Sequence, residues 1–531
     1  MLHNGRLIPS VLILSHAEQR QRLARSCPEA LPVALVAGDP CFDRIALSAP
    51  LRESYRHAFG LAEHQRLVVV SSTWGEKSLF GSRPDLPMQL AEQLPLDEFR
   101  IAVVLHPNIW FGHSPGQLRA WLADWARAGI VIVPPEEGWR AALIASDLVI
   151  GDYGSVTFYA AAQGAPLLLA SHPTDLLDPN SPIVALLAAA PQVDPKRHLL
   201  DQVRDTIAQH APEQYAHITA QTTSAPGRSH ALLRTAIYRE LRLSEPDTPA
   251  STSAVPLPTV SAQAVDAQLI GVRPSEAGIE LTRFPAEVLY RAPEVARGRF
   301  LVVGTNQPRQ SWLERADALV RSDAGPVRRW IDGTLAALPG CLVAAARDET
   351  AQWVVADRAG RLFRFVRVGG GELSADDGAC CAALVCAELT GVERLARAGL
   401  AGTEPMARTE LAEMERVRRA DAGLAEAERL ALTRAGLARA EPMARADAGL
   451  AEAERLALTR AGLAGTEPVA RADAGSAEAE RAAPASAGLA GTEPVTPARA
   501  GLARAGRVTL LRNGSPLAVR VFTEAAALPV D

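Results

Sequence analysis

Lysine is nearly missing from this chain of 531 residues: Lys77 and Lys196 are the only two. With 55 basic side chains, almost all arginine, against 60 acidic ones, the net charge is −5, so no basic footprint points to nucleic acid. Cysteine is scarce as well. Six in 531 residues do not make a disulfide framework. Three of them, Cys380, Cys381 and Cys386, lie in the apolar run CCAALVC. Histidine is missing after His230, so this run has no partner for a metal site and reads as buried small hydrophobes. No unbroken run of 18 apolar residues suggests a membrane-spanning helix. The opening, MLHNGRLIPSVLILSHAEQR, lacks a basic lead, and its apolar stretch is too short for a signal peptide. The expected setting is cytoplasmic, at most peripheral to the inner face of the membrane. Neither a Walker motif nor GxGxxG occurs, which weighs against a plain nicotinamide dehydrogenase. No cofactor and no metal are expected.

What is present falls into zones. Residues 1–245 hold all eleven histidines and both lysines. A Ser/Thr/Pro-rich stretch over 246–265 reads as a linker. Residues 266–390 read as a smaller α+β domain. FLVVG, CLVAA, WVVAD and LFRFV look like its strands, and WLERADALVRS (312–322) and VRRWIDGTLAALP like its helices. Over 391–506 a unit of 26 residues repeats, with RADAGLAEAERLALTRAGLA at 419–438 and again at 445–464. This zone has no aromatic residue, and Gly or Pro interrupts each helical run, so it reads as disordered or transiently helical rather than as a packed solenoid. RVTLLRNGSPLAVRVF then restores a strand pattern around Asn513-Gly514, a hairpin expected to complete the second domain from 507 to 531.

The first zone alternates strands and helices: LVVVSS, IAVVLHPN, IVIVPP, DLVIGDYG and PLLLAS, each separated by a helical pattern. Near-continuous Val/Ile/Leu strands with single helices between them predict a parallel sheet covered on both faces. In such sheets ligands bind outside the carboxyl ends of the strands. The loop after DLVIG carries most information. Asp152 ends a strand and Gly154-Ser155 opens a helix, where backbone amides and the helix dipole suit a phosphate. Asp152 or Ser155 serving only as a helix cap is the competing reading. His106 ends another strand, where imidazole can donate to a phosphate or hydroxyl, or can serve structure alone.

ASDLVIGDYGSVTFYAAAQGAPLLL (145–169) resembles the Asp-Tyr-Ser-Ser segment of the CDP-glycerol glycerophosphotransferase family, GT-B-fold enzymes that extend teichoic-acid-type polymers. VALVAGDPCFDRI (33–45) is similar to that family's interdomain strand and turn, LVVVSSTWG to its Ala-Pro-Thr-Trp-Arg strand, and VVLHPN to the strand bearing its donor-binding histidine. The resemblance implies a Rossmann-like GT-B donor-binding domain followed by the α+β domain with its low-complexity insertion. It implies that His106, Asp152, Gly154 and Ser155 contact the donor, that Thr73, Trp74 and Gly75 line the same cleft, and that Glu137, within Pro135 to Gly138, faces the base. His3, in LHNG, is the one residue that could stand for the family's catalytic histidine. Gly151, Gly154 and Gly75 stand where the family has Thr, Ser and Arg. Only about 65 residues precede Val68, fewer than the roughly 100 a separate acceptor domain needs. The expectation is therefore a donor-binding half. It would act as a nucleotide-diphosphate-dependent transferase on a CDP- or UDP-linked donor, with a membrane-associated polymer as acceptor. The alternative is a catalytically inactive nucleotide-binding module derived from one.

Overall fold

Each apolar run of the first zone becomes a strand because five helix-separated β-segments can bury both faces only side by side. The computed structural model describes residues 2–260, 264–292, 298–369, 371–391, 504–512 and 515–524. The repeat over 391–506, apart from its first residue and its last three, lies outside the described residues, as does the Asn513-Gly514 turn. An N-terminal hairpin, β1 (Leu2–His3) and β2 (Arg6–Leu7), precedes a small parallel pair, β3 (Leu12–Leu14) and β4 (Ala34–Val36). The helix Ala17–Ser26 crosses between β3 and β4 and closes a small core of Leu14, Leu23, Cys27 and Ala30.

The main sheet comprises β5 (Arg66–Ser72), β6 (Phe99–Leu105), β7 (Val131–Val133), β8 (Leu148–Gly151) and β9 (Leu167–Leu169). All pairs are parallel, in the order β7-β6-β5-β8-β9. This is the Rossmann order. The chain runs outward from β5 to β7, then returns to place β8 on the other side of β5, so the crevice for a ligand opens above the carboxyl ends of β5 and β8. Asp147 ties the strands to a flanking helix. Its carboxylate accepts from Arg52 and Arg56 at 2.7 Å each and from the Leu67 amide at 2.7 Å.

The segment expected to be a linker is held against this sheet domain. Tyr55 donates its hydroxyl to the Val255 carbonyl at 2.7 Å, Val255 N–H donates to Ser48 Oγ at 2.8 Å, and Val255 is buried.

A smaller α+β domain does not follow. Residues 267–367 and 504–524 form a closed barrel of nine strands, and this corrects the expectation. The strands are β10 (Ala267–Ser275), β11 (Gly278–Pro285), β12 (Arg299–Gly304), β13 (Ala318–Arg321), β14 (Val343–Arg347), β15 (Trp353–Asp357), β16 (Leu362–Arg367), β17 (Arg504–Arg512) and β18 (Ser515–Glu524). Closure comes from β17 and β18, which enter between β11 and β16 and leave no free edge. The helix expected over 312–322 is also corrected. It spans only Gln310–Arg315, and Ala318–Arg321 is a strand between β12 and β14. The cause is burial: Ala318, Leu319 and Val320 are inside, and the Asp317 carboxylate accepts the Leu301 amide at 2.8 Å.

The Cys-rich run belongs to the helix Ala375–Leu389, apolar on every side and buried over nearly its whole length. It packs against β10, β12, β13, β14 and β15, and supplies the filling that a closed barrel of this size requires. Ser374 caps it, bonded reciprocally with Asp377. A Cβ at Gly378 would enter the Trp353 indole. On an exposed helix Ala is favoured over Gly by about 1 kcal/mol; here Gly378→Ala should instead destabilise by about 1–3 kcal/mol through overpacking. Urea denaturation reads the sign, and a stabilised variant would show that the helix does not lie against Trp353.

Sheet domain and barrel share one hydrophobic core, which runs from Val68 and Ile150 through Trp125 to Leu269, Val303 and Trp312. A buried ionic cluster joins them. Asp97, in the turn before β6, accepts from Arg283 of β11 at 2.8 Å and from Arg512 of β17 at 2.6 Å. Arg283 also pairs with Asp376, and Arg512 with Asp377, at the start of the central helix. No described helix is long and apolar enough to cross a membrane.

Candidate functional site

The Rossmann order directs attention to the loops after β5 and β8, and one carboxylate joins them. Asp152 is 1% exposed. Its Oδ1 accepts the Gly154 amide at 2.9 Å, and its Oδ2 accepts the amides of Thr73 at 2.9 Å and Leu79 at 3.0 Å. Burial pushes the Asp152 pKa up despite these donors. The side chain is thus consumed in pinning one loop to the other, and the surfaces it holds in place are those available to a ligand.

Those surfaces are backbone and ring. The helix Ser155–Ala162 begins at Gly154 with no side-chain cap, so the amides of its first turn are left for a partner. Ser155 is exposed at that turn. Gly154 has an ordinary extended φ of −76°, but a Cβ there would stand 3.1 Å from Asp152 Oδ1 and 3.2 Å from Thr73 Cβ. Its small size, rather than its conformational freedom, is what the loop requires. Gly75, at φ +98°, turns the other loop back on itself. Trp74 is exposed, and its ring lies 6.4 Å from that of His106.

His106 caps the helix Pro107–Gly112, its Nδ1 accepting the Asn108 amide at 3.0 Å. That bond fixes the tautomer: the neutral ring carries its proton on Nε2, which remains able to donate. Burial lowers the His106 pKa, and the nearby Asp152 charge only partly restores it. The ring is therefore a neutral hydrogen-bond donor near pH 7.

The structure brings together Thr73, Trp74, Gly75, His106, Asp152, Gly154 and Ser155. Glu137 stands apart, after β7. Its carboxylate accepts from Arg140 at 2.9 Å and lies 3.9 Å from Arg44. His3 lies exposed on the N-terminal hairpin opposite Arg6, and no bond connects it to the loops.

The bracing role of Ser72, and Tyr159 altogether, were not legible in the sequence. Ser72 Oγ accepts the Phe80 amide at 2.8 Å and braces the loop from below. Tyr159, on the helix that opens at Ser155, donates to Asp39 at 2.7 Å and so links that helix to the 33–45 segment. The available signals were the small serines closing an apolar strand and the Asp39-Pro40 helix start, and neither names its partner. Among the described residues no His/Cys/Asp/Glu group could hold a metal ion.

No family model matches the chain, and no curated protein matches it. Solved structures do. The wall teichoic acid polymerase TagF is similar at 16% identity with a TM-score of 0.32, over 44% of this chain and 58% of that one. A glycosyltransferase from Rickettsia africae is similar at 12% identity with a TM-score of 0.26, over 44% and 64%. Anabaena HepE, solved with UDP and glucose, is similar at 15% identity with a TM-score of 0.25, over 44% and 63%. The chain therefore spans less than two thirds of the length of each of these three structures.

Proposed function

We propose that this chain binds a nucleotide-diphosphate-linked donor in the crevice above β5 and β8 and serves as the donor-binding half of a transferase that moves a glycerophosphate or glycosyl group. The observation that carries the reading is the uncapped helix start at Gly154, at the point where the strand order reverses, with His106 Nε2 free to donate beside it. Amides at a helix start hold a diphosphate, and they hold it more strongly as negative charge builds on the leaving group. His106 would donate to the same group or to the transferred moiety, and Trp74 would cover it from the solvent side. Asp152 is a positioning residue in this scheme, keeping the Thr73 and Gly154 loops in register. No step is assigned to His3 or Glu137.

The test uses CDP-, UDP- and GDP-linked ligands in thermal-shift measurements on the full chain. A true ligand at 100 times its Kd should stabilise by about 2.7 kcal/mol. Gly154→Val should abolish that shift, because the branched side chain takes the space between Asp152 and Thr73. The same crowding should lower the unliganded midpoint by a few degrees, so binding is read well below that midpoint. A Gly154→Val protein that binds each nucleotide as wild type does would put the site elsewhere. Binding without transfer to any acceptor would support the inactive binding module instead.

A further inference from the structure

We propose that the junction between the parallel sheet and the barrel is a binding site for a free apolar α-amino acid. A cavity of about 230 Å³ lies there, between the amino ends of β6 and β7 and the mouth of the barrel where the central helix starts. It is on the opposite edge of the sheet from the crevice after β5 and β8, so it stands independently of the donor-binding reading.

Protein interiors are close-packed, and one water occupies about 30 Å³ of the liquid. A space several times larger, at the seam of two bodies, has the size of a small organic molecule. Its walls divide into two kinds. Leu94, Phe99, Ile101 and Val302 supply an apolar surface. The charged part has one group of each sign left open. Arg100, half-buried near the start of β6, gives a hydrogen bond to the Phe59 carbonyl at 3.2 Å and forms no ion pair among the described residues. Asp376, the charged neighbour that acts on it, is taken by Arg283. Across the seam Asp266 has neither a hydrogen bond nor an ion pair to its side chain among the described residues.

Burial acts against the charge on both groups, lowering the Arg100 pKa and raising that of Asp266. A guanidinium and a carboxylate held partly out of water without partners are complementary to a ligand bearing both opposite charges. An α-amino acid meets that description. Its carboxylate can pair with Arg100, its ammonium can face Asp266, and an aliphatic or aromatic side chain can lie against the apolar part of the lining. An anion such as inorganic phosphate would leave Asp266 unanswered, and an amine would leave Arg100 so.

Isothermal titration of the full chain with L-leucine, L-isoleucine and L-phenylalanine tests this. At least one should bind. 4-Methylpentanoate, which lacks the ammonium, and 3-methylbutylamine, which lacks the carboxylate, should each bind at least about tenfold more weakly than leucine, as the loss of one charge-assisted hydrogen bond predicts. Arg100→Met and Asp266→Asn should weaken amino-acid binding by a similar factor. Asp266→Asn should not lower the unliganded thermal midpoint, because it removes a charge with no hydrogen bond or ion pair among the described residues, whereas Arg100→Met should lower it slightly through loss of the bond to the Phe59 carbonyl. Absence of heat with all three amino acids at millimolar concentration would overturn the proposal. So would binding that both variants leave unchanged, or equal binding of leucine and the two truncated probes.

Discussion

Asp97→Asn is expected to destabilise the protein by about 3–5 kcal/mol, the usual effect of removing one partner from a buried ion pair. Asp97 is 3% exposed and accepts from two guanidiniums, Arg283 and Arg512, which approach from different strands of the barrel. Burial alone would raise the Asp97 pKa, but the two arginines outweigh it and hold the carboxyl below its ordinary range. Removing the charge leaves Arg283, itself only 5% exposed, with Asp376 as its remaining ionic partner. The neighbouring residue provides the contrast. Glu98, 13% exposed, pairs with Arg204, whose side chain is 49% exposed and reaches solvent, and Glu98→Gln should cost about 1 kcal/mol, well short of the Asp97 effect. Urea denaturation of the two variants side by side decides the matter. Equal small effects would mean that Asp97 is reached by water and does not fasten the barrel to the sheet.

The second large effect is a dependence on pH centred on Glu287. This residue is 2% exposed, and among the described residues no hydrogen bond from another residue reaches its carboxylate; only its own backbone amide bears on it. Burial raises its pKa to about 7 from an ordinary 4.5; Arg309 and Arg127 oppose the rise and Asp124 adds to it. A folded state that binds the proton more tightly than the unfolded chain is most stable where the proton is bound. Stability linked to Glu287 is thus fully present below about pH 4.5. It declines as pH rises toward 7 and levels off above that. A rise of about 2.5 units corresponds to roughly 3 kcal/mol. Glu287→Gln should match wild type near pH 5 and exceed it by about that amount at pH 8. Subtracting the two denaturation curves across pH removes the contribution of every other group. A flat difference would show that Glu287 is solvated or paired in solution.

The sheet was the most legible part of the fold. VVV, AVV, LVI and LLL are buried on both faces, and parallel strands have no other way to look. The place of the site was equally legible, because the rule for carboxyl ends depends on strand order and that order follows from short helical returns. The role of Asp152 was not. Its partners, Thr73 and Leu79, are more than 70 residues away, and an aspartate that caps, one that binds and one that staples two loops look alike in one dimension. The barrel failed for the same reason on a larger scale. The residues of β12, β14, β15 and β16 are visible as strands, but Ala318–Arg321 carries no local signal that separates it from the end of a helix. The Asp97–Arg512 bond spans 415 positions of sequence, and nothing near either residue announces the other.

The late arrival of β17 and β18 has a consequence in time. The ribosome adds about 135 residues between Leu389 and Glu524, which at roughly 5–20 residues per second takes about 7–27 seconds. During that interval the nascent chain already holds seven of the nine strands and the apolar helix they surround, with β11 and β16 standing as unpaired edges. Such a half-built wall invites pairing with other nascent chains, so the vulnerable period of this protein's life is its synthesis. A version with a short connector between the central helix and β17 should therefore give a higher yield of soluble protein.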